Sequence, residues 1–481
     1  MSLQVKYLDI PEGAQEAAVV SAASGQLFGA PQQIAEGAAD IPWATLEPGG
    51  WALNGTQKLL PDDPEEIGWW SAVRSGEDGR FADPPTITIS FPDPYTATGL
   101  SFLFWPSLNQ WCSEVQVRWY RKEMRLADVI AYPDGANWTL PETVESFDRI
   151  EIRLLETNLP GQFAKLQQVQ IGQVVVFLQD EIIRVRLLNE VDPSMCELSV
   201  DTMTVEIRDK KNRNLLPQKN QRLELRRDGE RIATQYITDS SRENREQYVF
   251  TCQSAVGRLE SEFAGGEYRQ QDVKELLSQV LSGFPYELDA SFADMTVTGN
   301  LPICTCRDAL QQIAFAIGAV VLTQGDGKIR LVPPEEAVTG VFEPDSIFTG
   351  ANLTREARTA GIQITYHNYQ PDGEDLPNTA TRLDTNVNAA EKGNIVVVEN
   401  ATLVDYDNVH RILQRLTDYH KLKHVLTENV VVSGQRAGQI VKSPNPWGTV
   451  TEGYITGMDS EFTRSGHTAS ITIRGREVDS L

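Results

Sequence analysis

The amino-acid sequence predicts a mainly β protein with a small α/β insertion. Short runs that alternate apolar and polar residues recur along most of the chain, separated by Pro, Gly and Asp, as in antiparallel sheets. Helical periodicity is confined to a few segments, two of which lie close together between residues 272 and 318. Eight of the nine tryptophans precede Leu140, so the N-terminal part differs in composition from the remainder.

Length and charge exclude several classes of protein. A chain of 481 residues predicts two to four domains. No segment approaches the roughly 20 unbroken apolar residues of a membrane span, and the first residues lack a signal-peptide pattern, so we expect synthesis in the cytoplasm. A net charge of −24 opposes nucleic-acid binding and is typical either of simple solubility or of a channel wall that DNA passes. The five scattered cysteines match neither a zinc site nor a disulfide framework.

The first third of the chain predicts an all-β domain. We assign residues 1–39 to an N-terminal arm and residues 40–173 to a β-sandwich. Within the sandwich, the runs 86–91, 114–120 and 149–154 alternate apolar and polar side chains, and no long helix is evident. This alternation is typical of strands that are buried on one face only.

The central part of the chain mixes strands with helices. Residues 174–264 are rich in strand-like runs and form a first β unit, and residues 265–345 form an α/β insertion. The insertion contains an amphipathic helix over 272–281 and a second helix that begins with a capping-box-like Thr305 and Asp308 pair. A short hairpin follows the second helix.

Residues 346–481 form a second β unit. The stretch 370–394 is nearly devoid of large apolar residues and predicts a long exposed loop. Such a loop either becomes ordered against a neighbouring subunit or is a tolerated surface insertion. An amphipathic helix follows near Asn408 to His424, and strands return after it.

No grouping of residues predicts catalysis. The sequence lacks G-x-S-x-G, H-E-x-x-H, phosphate-loop and dinucleotide-binding motifs. His420 and His424 have a spacing that brings two imidazoles to one metal, but no third ligand accompanies them, so packing explains them better. The carboxylates in 62–66 lie in a polar loop. We therefore expect no enzymatic activity, no metal and no cofactor.

The tryptophans are the best candidates for a binding surface, because an indole face stacks on sugar rings and packs at interfaces. We expect most of them to be buried, and the following to belong to the core: Trp51, Trp69, Trp70 and Trp119. Trp105, Trp111 and Trp138 stand beside Pro, Asn or Gly in loop-like contexts, and we predict these three as exposed glycan or docking contacts.

Part of the N-terminal region resembles a known family. Residues 43–55 (WATLEPGGWALNG), the pair Trp70-Ser71 and residues 85–91 (PTITISF) are similar to the discoidin-like, galactose-binding-like domain. The resemblance covers about residues 40–172. It implies a jelly-roll-like β-sandwich whose loops at one end often bind glycans, although the same sandwich also serves as a docking module.

The remainder resembles tail proteins of phages and prophages of Gram-positive bacteria. The most specific match is residues 297–319 (VTGNLPICTCRDALQQIAFAIGA), and the turn 446–448 and strand 453–458 look like the last barrel of baseplate hub proteins. In that family, two tube-like β-barrels per chain let a trimer match a sixfold tail tube to a threefold tip or spike. The resemblance therefore implies a first hub barrel over residues 174–264 and a second over residues 346–481. Many hub chains continue into a peptidoglycan-cleaving domain; this sequence ends at Leu481, so we expect wall hydrolysis from another chain.

The resemblance therefore implies a structural virion component at the tail tip or baseplate. Its expected partners are two further copies of itself in a homotrimer, tail-tube or distal tail proteins, a tip or spike protein, and host cell-surface carbohydrate, with no specific nucleic-acid binding. Two other functions stay open at this point: a receptor-binding or fibre adaptor on the tail rim, and a secreted carbohydrate-binding protein. The missing export signal disfavours the second of these.

Overall fold

A computed structural model confirms the mainly β class, with 53% strand and 11% helix. It describes residues 3–23, 25–38, 41–45, 47–48, 50–51, 54–59, 67–211, 213, 215–357, 359–369, 375–383, 394–399, 401–463 and 466–480. Within these ranges, no helix combines the length and the apolar character that a membrane crossing requires. The chain forms two compact units: a smaller one of Lys6–Val176 and Lys211–Arg222, and a larger one of Met1–Val5, Phe177–Lys210 and Leu223–Leu481.

The smaller unit contains two antiparallel sheets. The elements of the N-terminal region are β1 (Leu3–Asp9), β2 (Val19–Ala22), β3 (Gln26–Phe28), α1 (Gln33–Glu36), β4 (Trp43–Ala44), β5 (Lys58–Leu59), β6 (Trp69–Arg74), β7 (Thr86–Leu103), β8 (Cys112–Arg121), β9 (Met124–Ala131), β10 (Asn137–Thr157), β11 (Phe163–Leu166), β12 (Gln168–Gln170) and β13 (Gln173–Leu178). One sheet has the order β12-β7-β10-β8-β9 with β2 beside β7, and the other has the order β11-β6-β3. The unit boundaries fall inside β1 and β13.

Alternating side chains hold these two sheets together. Ile150 and Ile152 of β10 stand opposite Ile89 and Ile87 of β7, and all four are buried. They share one core with Leu166 and other residues of the three-stranded sheet. Burying each such side chain contributes about 1.5–3 kcal/mol, so the two sheets form a β-sandwich around a common core.

The separate N-terminal arm predicted over residues 1–39 is wrong. Strand β2 pairs with residues 87–90 of β7, and Phe28 of β3 stands opposite Trp70. Ile34 of α1 is fully buried in the sandwich core. These three elements contain only three or four residues each, which is too short for their periodicity to be recognised in the sequence.

The larger unit combines an extended sheet with three helices. Its elements are β14 (Ile182–Glu190), β15 (Thr202–Arg208), β16 (Arg222–Arg227), β17 (Glu230–Arg242), β18 (Gln247–Gln253), β19 (Glu262–Phe263), β20 (Gly266–Asp272), α2 (Val273–Val280), β21 (Tyr286–Leu288), β22 (Thr296–Leu301), β23 (Cys304–Thr305), α3 (Cys306–Ile317), β24 (Val320–Leu322), β25 (Ile329–Val332), β26 (Val338–Val341), β27 (Asn352–Arg355), β28 (Gly361–Tyr369), β29 (Asp375–Leu383), β30 (Ile395–Val398), α4 (Val409–His420), β31 (His424–Val431), β32 (Ile440–Pro444), β33 (Val450–Thr463) and β34 (Gly466–Val478).

The strands predicted as two tube-like barrels belong to one hydrogen-bonded sheet. From β16 onwards its order is β16-β17-β18-β15-β14-β33-β34-β31-β27, with β32 beside β33 and β26 beside β32. Strand β14 joins the two groups, because it pairs with β15 on one side and with β33 on the other. Over the part of the chain that the structure describes, this sheet does not close into a barrel.

The helical insertion forms as its local signals predict. The Asp272 side chain accepts hydrogen bonds from the Lys274 and Glu275 amides at the start of α2. At the start of α3, Thr305 Oγ1 accepts the Asp308 amide at 3.1 Å, and α3 ends at a left-handed Gly318 with φ of 83°. These caps satisfy amide groups that a helix end leaves without partners. The predicted hairpin is the antiparallel pair β24 and β25.

The last helix, α4, packs beside the three-stranded sheet β29-β28-β30 and covers the end of α3. Arg411 and Arg415 donate to the carbonyl oxygens of Ala316 and Phe315, each at 3.1 Å. Cations at a helix C-terminus also oppose the negative end of its dipole. The predicted helix reached His424, but α4 ends at His420, and His424 is the first residue of β31.

The long loop predicted over 370–394 is wrong for part of its length. Residues 375–383 form β29, which pairs antiparallel with β28 along all nine of its residues. Residues 370–374 and 384–393 lie outside the described ranges. The polar composition of β29 gave no strand pattern in the sequence, because a strand exposed on one or both faces shows little apolar alternation.

Candidate functional site

The structure separates the three tryptophans predicted as surface contacts. Trp105 is fully buried, so its prediction as an exposed contact is wrong. Its ring meets Trp70 edge-on, with centroids 5.5 Å apart, and its Nε1 donates to the Ile41 carbonyl at 2.9 Å. A buried indole requires such an acceptor for its N–H group. Trp105 therefore belongs to a small core of tryptophans at one end of the sandwich together with Trp43.

Trp111 lies half-buried at the rim of the sandwich, directly before β8. Its backbone N–H donates to the Asn158 side chain at 3.0 Å, and its Nε1 donates to the Pro133 carbonyl at 3.1 Å. Asn158 also donates to the Asn109 carbonyl at 3.0 Å. These bonds connect three loops through one tryptophan, so its ring position is fixed while part of its surface stays accessible.

Trp138 is also half-buried, and it follows the same loop that accepts the Trp111 hydrogen bond. It stands opposite Phe102 of β7, and the two ring centroids lie 5.9 Å apart. The structure thus places Trp111 and Trp138 on either side of residues 132–136. Trp111 and Trp138 are each only partly exposed to solvent.

Sequence reasoning missed the most exposed aromatic residues of this region. Tyr132 is 68% exposed. It follows β9 directly and precedes Pro133, whose carbonyl accepts the Trp111 hydrogen bond. Trp51 is 58% exposed, although we predicted it as core; Trp69, Trp70 and Trp119 are buried as predicted. The turn residues Pro133, Asp134 and Gly135 that follow Tyr132 were a usable signal, because turn chemistry places a neighbouring aromatic ring at the surface.

Buried polar side chains next to these loops are joined by hydrogen bonds. Lys165 Nζ lies 2.7 Å and 2.6 Å from the two carboxylate oxygens of Glu47, and the side chains are 1% and 0% exposed. Lys165 also donates to Gln110 Oε1 at 2.6 Å, and Gln110 donates to Gln162 Oε1 at 2.7 Å. We name Glu47, Lys165, Gln110 and Gln162 the buried network.

Each member of the buried network is next to a loop at this end of the sandwich. Gln110 precedes Trp111, Glu47 precedes the exposed Trp51 in its loop, and Gln162 donates to the Pro48 carbonyl at 2.8 Å. Glu47 also accepts the Phe163 amide at 2.7 Å. Charged groups are stable inside a protein only when they are paired and hydrogen-bonded in this way. The loop end is therefore a hydrogen-bonded platform that presents aromatic side chains.

The larger unit contains a cavity of about 290 Å³. Among its lining residues, His467 stacks on Phe462 with centroids 4.0 Å apart. Burial, and secondarily the positive charge of Arg227, lower the pKa of His467 to about 4, so the imidazole is neutral at neutral pH. Within the described part of the chain, no grouping of three or more His, Cys, Asp or Glu side chains could hold a metal ion.

Two buried carboxyls of the larger unit have strongly raised pKa values. Burial raises the pKa of Glu428 to about 7, and its only moderating contact is a hydrogen bond from the Ser443 hydroxyl. Burial raises the pKa of Asp201 to about 6, moderated by the Thr323 hydroxyl at 2.9 Å and the Glu190 amide at 3.1 Å. The carboxylates of 62–66 noted in the sequence lie outside the described residues.

Comparisons with known proteins give structural neighbours only. No protein-family model matches the chain, and no curated protein matches it. It is similar to the tail protein from Neisseria meningitidis MC58, with 13% identity and a TM-score of 0.46 over 62% of this chain and 93% of that one. It is also similar to the prophage tail protein gp18 from Listeria monocytogenes EGD-e, with 11% identity and a TM-score of 0.42 over 62% and 91% of the two chains.

A third similar structure is the family 32 CBM from C. perfringens NanJ, solved in complex with galactose. Its identity is 11% and its TM-score 0.20, over 36% of this chain and 99% of that one. The two tail-protein structures come from Neisseria meningitidis and Listeria monocytogenes. Likeness at this level says nothing about function, because one fold can serve unrelated functions.

Proposed function

We propose that this chain is a non-enzymatic structural component of a phage tail or of a phage-tail-like injection particle, acting as a hub at the distal end of the tail. The observation that carries the proposal is the fold of residues 297–319, the segment whose sequence most resembles phage tail proteins. It forms β22, β23 and the capped helix α3. The buried face of α3 belongs to the main core of the larger unit.

In this role three copies of the chain surround the tail axis. They connect a tail tube or other distal tail protein on one side to a tip or spike protein on the other. The strong negative charge keeps DNA from binding to the wall of such a passage. The chain is then part of the virion, at the tail tip or baseplate, and needs no cofactor.

Cryo-electron microscopy of the intact particle tests the hub directly. We expect a ring of three copies on the tail axis, with the larger unit facing the axis. Six copies on the axis would contradict the threefold arrangement. Copies that lie off the axis would favour an adaptor on the tail rim instead.

The loop end of the sandwich is the part we assign to host contact, with cell-surface glycans as its ligand. Tyr132 and the accessible parts of Trp111 and Trp138 offer aromatic faces for sugar rings. Particles carrying Tyr132→Ala or Trp111→Ala should adsorb to host cells at least several-fold less than wild type. The matched control is Trp447→Ala, which removes an indole that is 55% exposed in the larger unit.

Adsorption and stability must be measured on the same variants. Tyr132 is mostly exposed, so its replacement should leave the melting temperature of the purified chain unchanged. Adsorption that is unchanged in the Tyr132, Trp111 and Trp138 variants would contradict glycan contact and favour docking to neighbouring tail proteins. It would leave the hub assignment intact.

A further inference from the structure

The Lys165 side chain has an unusual position for an amine. It is almost completely buried, and its nitrogen lies 2.6 Å from the amide oxygen of Gln110 and 2.6 Å from Glu47 Oε2. A carbonyl bond is about 1.2 Å long, so the Cδ carbon of Gln110 lies no farther than about 3.8 Å from the nitrogen. Reacting atoms in a near-attack arrangement are about 3–3.5 Å apart. The amine and the amide carbon are therefore close to reaction distance.

Burial disfavours the charged form of the amine, whereas Glu47 and the Trp70 ring stabilise it. Burial lowers the pKa of Lys165, against the opposing effect of Glu47. Lys165 also faces the ring of Trp70 at 4.7 Å, the residue directly across from it in β6. Water is excluded from the group, since Gln110 is only 6% exposed. Once a proton has passed to Glu47, the desolvated amine is a nucleophile.

Glu47 is positioned to move the protons that such a reaction requires. Both of its oxygens lie within 2.7 Å of Lys165 Nζ. The Thr45 hydroxyl and the Phe163 amide donate to Glu47 at 2.8 Å and 2.7 Å and hold its orientation. A fixed carboxylate beside a nucleophile is the arrangement of a general base. Gln162 accepts a hydrogen bond from the Gln110 amide nitrogen, the leaving group, at 2.7 Å.

We infer that Lys165 and Gln110 become joined by an intramolecular amide bond, with Glu47 as the proton carrier. The Lys165 nitrogen attacks Gln110 Cδ, and the new Nζ–Cδ bond replaces the Cδ–Nε2 bond. Glu47 takes one proton from the ammonium group, and Gln110 Nε2 leaves as ammonia after receiving a further proton from the same nitrogen. The buried ion pair is thereby converted into a neutral amide and a neutral carboxyl, and no oxidant or other reactant is required.

The bond would act as a covalent staple at the loop end. Lys165 lies in β11, whereas Gln110 lies in the loop that precedes β8 and carries Trp111. Joining them closes a large chain segment within one unit and restricts the unfolded state, as a disulfide does. The bond would also keep β11 and the Trp111 loop joined when mechanical force acts on the sandwich.

Intact-mass spectrometry of the purified full-length wild-type chain tests the bond. We expect a mass about 17 Da below that of the sequence, the mass of one ammonia, and a proteolytic peptide that contains both Lys165 and Gln110. The full sequence mass in the folded wild-type chain would overturn the inference. A loss of about 18 Da, equal to water, would also overturn it, because it would identify Glu47 as the acceptor.

Two variants identify the chemical roles. Gln110→Ala and Glu47→Gln should each keep the full mass of their sequences, whereas Trp447→Ala should show the same loss as wild type. Loss of ammonia in Gln110→Ala would place the modification elsewhere and refute the assignment. The wild-type measurement is independent of whether the Glu47 variant folds, so the test does not depend on that variant.

Discussion

Three buried carboxyls, one in the sandwich and two in the larger unit, differ in their hydrogen-bond partners. In the sandwich, Glu47 has an amine, a hydroxyl and a backbone amide within hydrogen-bond distance. In the larger unit, Glu428 and Asp201 have hydroxyl and amide partners but no cation, and burial raises the pKa of each. A carboxyl that has a nitrogen partner is compensated locally, whereas one without a cation is stabilised in its protonated form. The Glu428 and Asp201 sites should therefore make the stability of the larger unit depend on pH.

The largest expected effect comes from removing the amine partner of Glu47, so that this carboxyl, like Glu428 and Asp201, is buried without one. Lys165→Met removes the contacts of the Lys165 nitrogen with Glu47 and Gln110 and leaves the buried Glu47 carboxyl without its amine partner, so we expect the free energy of unfolding to fall by about 3–5 kcal/mol at neutral pH. Urea unfolding at neutral pH measures this loss.

The control for this variant is the double substitution Lys165→Met with Glu47→Gln. It removes the charge from both positions and should recover part of the lost stability. An equal loss in the double variant and in Lys165→Met would show that packing, not the unpaired carboxyl, causes the effect.

A second effect, of up to about 3 kcal/mol, concerns Glu428. In the folded chain Glu428 stays protonated up to about pH 7, whereas in the unfolded chain Glu428 loses its proton near its ordinary pKa of 4.5. The native state thus binds more protons in this window, so stability falls as pH rises from about 4.5 to 7. Glu428→Gln should remove most of this slope, as measured by unfolding at a series of pH values.

Glu477→Gln, an exposed position in the same unit, should keep the wild-type slope. A residual slope in Glu428→Gln is expected from Asp201, whose pKa is raised in the same direction. An identical pH profile for Glu428→Gln and wild type would refute the assignment of the slope to Glu428.

The smallest expected effect on stability concerns the N-terminal cap of α3, a local interaction that does not depend on a buried carboxyl. Thr305→Ala removes the hydroxyl that accepts the Asp308 amide and should cost about 1 kcal/mol, at any pH between 5 and 8. Hydrogen exchange of the first α3 amides, or urea unfolding, measures it. Thr305→Ser keeps the hydroxyl and should behave like wild type; an equal loss in both variants would contradict the capping role.

The sequence predicted best where the determining contacts are local. The caps Asp272, Thr305 and Gly318 lie within a few residues of the groups they satisfy, and the helices α2 and α3 formed as expected. The alternating runs in β7, β8 and β10 likewise identify their own buried faces. Such patterns record the environment of each residue along the chain itself.

Prediction failed where a residue's environment is supplied from far along the chain. Trp105 has loop-like neighbours in sequence, but its ring is enclosed by Trp70 and its N–H group bonds to Ile41, 64 residues away. Glu47 meets Lys165 across 118 residues, and no local pattern marks either of them. The single continuous sheet could not be recognised either, because pairing between β14 and β33 depends on residues at opposite ends of the larger unit.

This pairing has a consequence for the chain during its synthesis. Arg186 in β14 meets Asp459 in β33, and the two are separated by 273 residues. A ribosome adds about 5–20 residues per second, so roughly 15–55 seconds pass before β14 can find its partner. During this interval one edge of β14 stays open on the nascent chain, while most of the sandwich has already been synthesised. Slower translation lengthens that exposure, so the yield of folded protein should depend on elongation speed and on chaperones that bind unpaired strands.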